Sequence, residues 1–263
     1  MVKEVIILRH GESEWNLALK AALNGDTSDV AENILLYHGS HWRLTDRGVE
    51  QAKAAGELIK GVIGTSFDRY YVSAFIRAQE TAYHLDLPDA EWNIEPDIAE
   101  RDDGYVESLT RGQRRDRFPH AFQNKEVSGV YWSPPGGESH LHVRSRVRNF
   151  FDRVLYSGEP RIIVVGHGVS VRALRSIHES HTVERFAQTT RPSDPQHKAE
   201  FCQIFHYSRI NPDTGSCEEG KWWLRRLSPN QGRSDWQLAS GRGLSNADLL
   251  ENVEKAPYLI RKT

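Results

Sequence analysis

Cysteine is scarce in this chain of 263 residues, which contains only Cys202 and Cys217. Neither belongs to a CxxC pair or to another spacing typical of zinc ligands, and nothing in the pattern indicates a disulfide framework. We interpret both as small apolar residues in the interior, with a disulfide across a hairpin as the alternative. This scarcity disfavours both a cross-linked secreted fold and a zinc module.

Long apolar runs and an excess of positive charge are also absent. No run approaches the ~20 apolar residues of a membrane helix, and the first residues enter a strand pattern without a signal-type apolar block. Lysine and arginine total 34 against 36 aspartates and glutamates, a formal net charge of −2. Because a nucleic-acid binder usually carries a basic surface, we expect no nucleic-acid partner and no membrane partner. The expectation is a soluble cytoplasmic protein whose anion specificity is local.

Two apolar runs each end in a histidine that has glycine beside it. They are residues 5–8, followed by Arg9-His10-Gly11, and residues 161–165, followed by Gly166-His167-Gly168. Such runs predict buried strands of a parallel sheet, and open α/β sheets bind ligands beyond the carboxyl ends of their strands. Glycine at these positions lets a ligand approach the backbone. We therefore predict one site that is assembled from the two strand ends.

The pattern between and after these runs predicts alternating helices and strands. Helices are expected from Thr45 or Asp46 to Gly61 and over residues 74–84, 138–158 and 169–178, and strands over residues 70–73, 94–98, 201–207 and 221–227. Residues 17–42 lack a clear period and are interpreted as an irregular excursion. The fold class is α/β, with three α/β/α layers and a mostly parallel central sheet. We expect one domain over residues 1–263, with a lid-like helical insertion at about 101–136 and a C-terminal extension from about 228.

Further motifs accompany the two histidines, in order, along residues 4–178. They are Leu8-Arg9-His10-Gly11-Glu12-Ser13-Glu14-Trp15-Asn16, Leu44-Thr45 with Gly48 and Gln51-Ala52, Ser73-Ala74 with Arg77-Ala78 and Thr81-Ala82, Glu100-Arg101-Asp102-Asp103-Gly104, Gly137-Glu138-Ser139, and Val165-Gly166-His167-Gly168. This set resembles the histidine phosphatase superfamily, which has the phosphoglycerate mutase-like fold. Within that family, Arg117-Phe118-Pro119 and Gly137-Glu138-Ser139 are more similar to the uncharacterised phosphoglycerate mutase-like branch than to glycolytic mutases.

His10 is the candidate nucleophile, because a neutral imidazole attacks phosphorus well and a phosphohistidine divides hydrolysis into two displacements. The nearby cations Arg9 and Arg77 would disfavour protonation of His10 and bind the phosphoryl dianion. Together with His167, they would surround the equatorial oxygens that carry the transition-state charge. Ser73 lies next to a predicted helix start, where it can face the same anion.

The general acid is less clear from the residues alone. Glu100, Asp102 and Asp103 lie in one acidic turn and are equal candidates to protonate the leaving group. The resemblance selects Glu100, and it also implies that Asn16 contacts the phosphate.

Three further residues complete the predicted substrate-binding set, namely Gly11, Arg101 and Gly168. No cofactor and no metal ion are expected. His38 and His41 lie in an irregular segment without a nearby cysteine or glutamate pair, which is not typical of a metal site.

Three functions from different classes stay open. The first is a phosphomonoesterase that acts through phosphohistidine on a small phosphorylated metabolite. The second is a 2,3-bisphosphoglycerate-dependent phosphoglycerate mutase, and the third is a non-catalytic protein that binds a phosphorylated ligand. The resemblance implies that mutases carry a tandem arginine pair well downstream of the glutamate, whereas Arg114-Arg115 begins only 14 residues after Glu100. We therefore favour hydrolysis, and a homo-oligomer is a possible assembly.

Overall fold

The fold is described by a computed structural model that covers residues 2–23, 37–107, 109, 111–190, 199–239 and 245–255. Its strands are β1 (Glu4–Arg9), β2 (Arg69–Ser73), β3 (Trp92–Glu95), β4 (Arg161–Gly166), β5 (Ile204–Ser208), β6 (Trp223–Ser228), β7 (Gly232–Arg233) and β8 (Gln237–Leu238). Its helices are α1 (Glu14–Leu23), α2 (Asp46–Val62), α3 (Ile76–His84), α4 (Arg111–Arg117), α5 (Lys125–Ser128), α6 (His140–Leu155), α7 (Gly168–His178), α8 (Val183–Thr189) and α9 (Asn246–Lys255). Among these helices, none is long and apolar enough to cross a membrane.

The strands form one mixed sheet in the order β3-β2-β4-β1-β5-β6-β7, with β8 beside β6. β3, β2, β4 and β1 run parallel, whereas β5 and β6 add an antiparallel half. In the central pair Leu8 lies opposite Val165 and Arg9 opposite Gly166. Both strands therefore end at the same edge, where His10 and His167 leave the sheet next to each other. The predicted α/β class with a mostly parallel core is confirmed.

Alternation along the two central strands builds a core on both faces of the sheet. Ile6 and Leu8 of β1, with Ile163 and Val165 of β4, pack against the apolar sides of α2 and α3. Their neighbours along the same strands point the other way, towards α6 and α7. Because successive side chains of a strand alternate between faces, these two packed faces give the expected three layers.

Several helices and strands begin or end at residues other than those predicted from the sequence. The strand expected over residues 94–98 ends at Glu95, and a 3-10 helix begins at Pro96, because proline has no N–H to donate to a sheet. The helix that begins after the Thr45 cap passes Gly61 and ends at Val62, and the left-handed backbone conformation falls on Gly64, at φ +101°. Part of the excursion expected over residues 17–42 is helix α1 instead; residues 24–36 lie outside the described part of the chain.

The two cysteines differ from the expectation. Cys202 is buried as expected, but Cys217 is exposed, and both thiols are free. The hairpin disulfide that was the alternative is therefore wrong. Strands β5 and β6 do form the expected hairpin, and burial raises the pKa of the Cys202 thiol to about 12, so it stays a neutral apolar group.

Candidate active site

His10 lies just beyond the end of β1, fully buried and held at both ring nitrogens. Its Nδ1 is 2.6 Å from the carbonyl oxygen of Gly11, and its Nε2 is 3.3 Å from Nε of Arg77. A carbonyl can only accept and a guanidinium can only donate. Nδ1 must therefore carry the proton, and Nε2 presents a lone pair. Burial, followed by the charges of Arg77 and Arg9, lowers the pKa of His10 well below its usual value, so the ring is neutral.

Two arginines flank this ring from different elements. Arg77 is buried on the first turn of α3, where Nη1 donates to the Gly39 carbonyl at 2.5 Å. Arg9 ends β1, donates from Nη1 to the Ala199 carbonyl at 2.6 Å, and leaves a buried Nε with no hydrogen-bond partner among the described residues. Burial lowers the pKa of each guanidinium to about 10, which leaves both charged at neutral pH.

His167 completes the cationic pocket from the neighbouring strand end. Its ring centroid is 5.0 Å from that of His10, and its Nε2 is 2.7 Å from Oγ of Ser73, at the end of β2. Its Nδ1 is buried and has no partner within the described chain. Burial, and then the charges of Arg77 and His10, lowers the pKa of His167 well below its usual value. An uncharged ring with one unused nitrogen therefore faces the same space as His10.

Glu100 lies at the N-terminal end of α7, next to this pocket. Its Oε1 accepts from the backbone N–H of Arg101 at 2.9 Å and of Val169 at 3.2 Å. A methyl group added at Gly168 would contact Glu100 Oε2 at 3.6 Å and Arg9 Nε at 3.7 Å, so this glycine leaves open space between the acid and the arginine. Of the sequence candidates for the acid, the structure puts Glu100 beside the histidine pair.

The other two candidate acids, Asp102 and Asp103, interact with groups of their own turn. Asp102 accepts from the backbone N–H of Gly104 at 2.6 Å. Asp103 forms an ion pair with Arg101, the residue that the sequence placed in the substrate-binding set. Arg101 therefore remains close to Glu100, but one side of its guanidinium is already neutralised.

Gly11 and Asn16 occupy different surroundings. The N–H of Gly11 donates to Oγ1 of Thr81 at 3.1 Å, which ties the loop after β1 to α3. The side-chain oxygen of Asn16 accepts from the backbone N–H and the hydroxyl of Ser13 at 3.1 and 2.8 Å. In this conformation the oxygen of Asn16 braces the loop, and its amide nitrogen is the group that is able to donate to an anion.

Three residues at the site escaped the sequence analysis. Arg146 of α6 donates to the carbonyls of Asp97, Ala99 and Glu100 and forms a two-pronged ion pair with Glu138, at 2.8 and 2.9 Å. The ring of Phe201 stacks on Arg9, with 4.2 Å from the guanidinium carbon to the ring centre, and the carbonyl of Gly39 holds Arg77.

One of these three had a visible signal. Glu138 belongs to a motif quoted without a role and comes just before the Ser139 cap of α6, and Arg146 follows it by eight residues, about two turns into that helix. Phe201 lies in a turn and Gly39 begins a 3-10 helix of three residues, and neither segment is long enough for sequence spacing to show a period.

The arrangement is a buried group of two guanidinium cations and two neutral imidazoles, with the lone pair of His10 Nε2 at its centre. Cations, unused N–H donors and a nearby carboxyl group are what nucleophilic transfer of a phosphoryl group requires. His38 accepts from Ser40 and lies 3.7 Å from Glu107, and no three His, Cys, Asp or Glu side chains of the described ranges are grouped around a possible metal position.

Comparisons with known proteins agree with this picture. The sequence model of the Histidine phosphatase superfamily (branch 1) matches residues 5–192. A 2,3-bisphosphoglycerate-dependent phosphoglycerate mutase from Brucella melitensis is 31% identical over 195 residues, which cover 70% of this chain and 85% of the mutase. The mutase from Azorhizobium caulinodans is 34% identical over 190 residues, 68% of this chain and 82% of that protein.

Solved structures with the same fold carry phosphatase names. The alpha-ribazole phosphatase from Shigella flexneri superposes with a TM-score of 0.62 at 21% identity, covering 82% of this chain and 94% of that one. The mycobacterial glucosyl-3-phosphoglycerate phosphatase superposes with a TM-score of 0.57 at 20% identity, covering 79% and 93%. At these identities the likeness supports the fold alone.

Proposed function

Because this chain belongs to branch 1 of the histidine phosphatase superfamily, whose members bind phosphorylated small molecules, we propose that it hydrolyses a small phosphomonoester through a phosphohistidine at His10. The observation that carries this proposal is the pinned tautomer of His10. The Gly11 carbonyl and the Arg77 guanidinium leave the Nε2 lone pair as the only nucleophilic position of the ring. No metal or cofactor is needed for this step.

In the first displacement, Nε2 of His10 attacks phosphorus and the bond from phosphorus to the ester oxygen breaks. Arg77 turns its N–H groups from Nε2 to the phosphoryl oxygens. Arg9 adds the buried Nε that has no hydrogen-bond partner among the described residues. With Ser73 donating its hydroxyl proton to Nε2 of His167, Nδ1 of His167 also becomes a donor to the phosphoryl group. The donors of Arg9 and His167 are in place before charge develops, which lowers the barrier most effectively.

Glu100 acts first as the general acid and then as the general base. Its carboxyl group gives a proton to the leaving oxygen, and the alcohol departs. The Gly11 carbonyl, at 2.6 Å, stabilises the positive charge that forms on the phosphorylated ring of His10. The Glu100 carboxylate then takes a proton from water, whose oxygen attacks phosphorus. The bond to Nε2 breaks, and inorganic phosphate and neutral His10 are regenerated.

Trapping the intermediate tests this proposal. Protein mixed with radiolabelled phosphoester and quenched at alkaline pH should carry a phosphoryl group that is stable to base and lost in acid. We expect His10→Ala to abolish the adduct and the release of phosphate. His120→Ala, which removes an exposed histidine, should keep both. A His10→Ala variant that still releases phosphate at the wild-type rate would disprove the mechanism.

The mutase is the second candidate, because the curated relatives named above carry that activity. The positions of the tandem arginines, Arg114 and Arg115, argue against this activity. Arg114 donates from Nε to the Leu109 carbonyl at 2.9 Å, within the proposed lid of residues 101–136, and Arg115 is exposed on α4. A mutase must hold a bisphosphorylated intermediate away from water. We expect phosphate release from 3-phosphoglycerate with little 2-phosphoglycerate, even when 2,3-bisphosphoglycerate is supplied. Efficient isomerisation without phosphate release would establish the mutase instead.

A further inference from the structure

Three basic side chains gather next to Glu100, outside the pocket formed by the two histidines. They are Arg101, His140 and Arg172. None of the three is used by the two displacements described above. Their placement follows from the backbone contacts around Glu100.

Arg172 is placed by helix α7. It lies one helical turn after Gly168 and Val169, so that all three share one side of the helix. That side faces Glu100, because the Val169 N–H donates to Glu100 Oε1 and the Gly168 backbone lies close to Glu100 Oε2. Arg172 therefore lies on the side of α7 that faces Glu100.

His140 is placed by the start of α6. Two residues before it, Glu138 is bonded to Asp102 in both directions: the Glu138 N–H donates to the Asp102 carbonyl at 2.8 Å, and Glu138 Oε2 accepts from the Asp102 N–H at 3.1 Å. This pairing brings the beginning of α6 alongside the chain that leaves Glu100. His140 and Arg101 are therefore neighbours.

Two donors of this cluster have no hydrogen-bond partner among the described residues. Nε of Arg172 and Nδ1 of His140 are buried, and neither has a hydrogen-bond partner in the described ranges of the chain. Arg172 also forms no ion pair with a described residue. Since buried polar groups are normally hydrogen-bonded, two orphaned atoms in one cluster indicate a ligand or ordered water.

The charge of the cluster favours a particular ligand. Burial, and then the charges of Arg101, Arg172 and Lys125, lowers the pKa of His140 to about 3, so its ring is a neutral donor at pH 7. The two arginines are always charged. Arg101 is paired with Asp103, whereas Arg172 has no ion-pair partner among the described residues, so one guanidinium of the cluster is left for an anion. A carboxylate matches the planar fork of a guanidinium and carries one charge.

We propose that Arg172, with His140 and Arg101, binds a carboxylate of the substrate, so that the preferred substrate is a phosphomonoester of a hydroxy acid. The inference rests on the proposed function and names the substrate class of that same site. It assigns specificity to α6 and α7, not to the tandem arginines of α4. Arg172 and His140 are thereby substrate-binding residues that lie beyond the phosphoryl pocket.

Substrate pairs that differ only in the carboxylate test this assignment. 3-Phosphoglycerate and glycerol 3-phosphate share a primary phosphoester, as do 6-phosphogluconate and glucitol 6-phosphate at greater length. We expect the wild-type protein to favour the acid of at least one pair by about tenfold or more in kcat/KM. Arg172→Gln and His140→Ala should each bring that ratio close to one. Arg148→Gln, which removes an exposed arginine of α6, should keep the wild-type ratio.

Equal losses on both members of each pair would overturn the proposal, since they would mean that Arg172 serves Glu100 alone. A wild-type ratio near one for both pairs would overturn it as well. Calorimetric binding of the same four compounds to His10→Ala gives a readout that needs no turnover. If the wild-type protein releases no phosphate but the dissociation constants still favour the acids, the proposed hydrolysis is wrong and the carboxylate site stands.

Discussion

The proposed role of Glu100 as proton donor predicts how strongly different substrates depend on it. Aryl phosphates have leaving groups that need little protonation, whereas alkyl phosphates require an acid. Glu100→Gln removes the proton but keeps the shape of the side chain. We therefore expect this variant to lose on the order of 10²-fold or more in kcat on an alkyl phosphate, and much less on p-nitrophenyl phosphate. Phosphate release measured on both substrates checks this; equal losses would transfer the role to Asp102 or Asp103.

Arg146 should act through Glu100 without touching the substrate. Its guanidinium holds the carbonyls of Asp97, Ala99 and Glu100 and is fixed by Glu138. In Arg146→Gln the acid loses this support and moves away from the leaving group. The variant should therefore reproduce the pattern of Glu100→Gln, with a larger loss on alkyl than on aryl phosphates and a lowered melting temperature.

A matched control separates this effect from the loss of a charge. Arg148→Gln affects the same helix, but it breaks only an exposed contact with Asp152 at 3.6 Å. Such surface pairs contribute about 0–1 kcal/mol. Arg148→Gln should therefore keep both activities, and an Arg146→Gln variant with uniform losses on both substrates would contradict the positioning role.

At the scale of elements, the site depends on how closely α2 approaches the loop after β1. A Cβ added to Gly48 would lie 2.0 Å from the Glu12 carbonyl oxygen, and one added to Gly11 would lie 2.5 Å from the Gly48 carbonyl oxygen. The two backbones cross with no room for a methyl group. The glycines therefore fix the distance between the helix and the loop that carries His10.

A pair of substitutions in the same helix measures this contact. Gly48→Ala should destabilise the protein by about 1–3 kcal/mol and reduce phosphate release, because the loop has to shift. Gly61→Ala is the control, since a Cβ at Gly61 meets nothing within 4 Å and the position is exposed. It should stabilise the protein by about 0.5–1 kcal/mol with activity unchanged. Denaturant unfolding with parallel assays would decide, and a stable, active Gly48→Ala variant would contradict the argument.

The elements differ in how well the sequence predicted them. β1 and β4 follow from uniform apolar runs, because strands buried on both faces have no alternative environment. Helix α1 was missed because its apolar residues do not lie on one face: Ala18 is buried, while Leu17 is 46% exposed. The antiparallel strands were predicted, but not their place beside β1, since strand order is set by packing over long sequence distances.

The site residues also differ in how well the sequence predicted them. Residues at strand ends and helix starts, such as His10, His167 and Arg77, were predicted to share one place, and the structure brings them together. Arg101 was assigned to substrate from its neighbours, yet it pairs with Asp103, a choice that spacing cannot reveal. Phe201 was missed because it reaches Arg9 from a distant loop.

At the scale of the whole molecule, several histidines are buried in their neutral form. Besides the site pair, they include His140, His178 and His206, and burial is the first cause of the lowered pKa of each. In the unfolded chain a histidine titrates near pH 6.5. Below that pH the unfolded chain binds protons that the folded protein does not, so the free energy of unfolding falls as pH falls. Glu179, whose folded pKa is about 2, adds to the same trend at lower pH, because its stabilisation is lost only in acid.

His178 allows this effect to be measured away from the site. Its ring stacks on Tyr207 at 4.5 Å, contacts Phe151 and Trp222 edge to face, and has two buried nitrogens without partners in the described chain. Burial lowers its pKa to about 3, so between pH 3 and 6.5 it destabilises the fold by about 1.4 kcal/mol for each unit of falling pH. His178→Phe should remove this slope while phosphate release continues. The readout is the slope of the unfolding free energy between pH 6 and pH 4.5, compared between the wild type and the variant. Repacking around the new ring changes the unfolding free energy equally at every pH, so it does not change this slope. An unchanged slope would mean that His178 already binds a proton in the folded state.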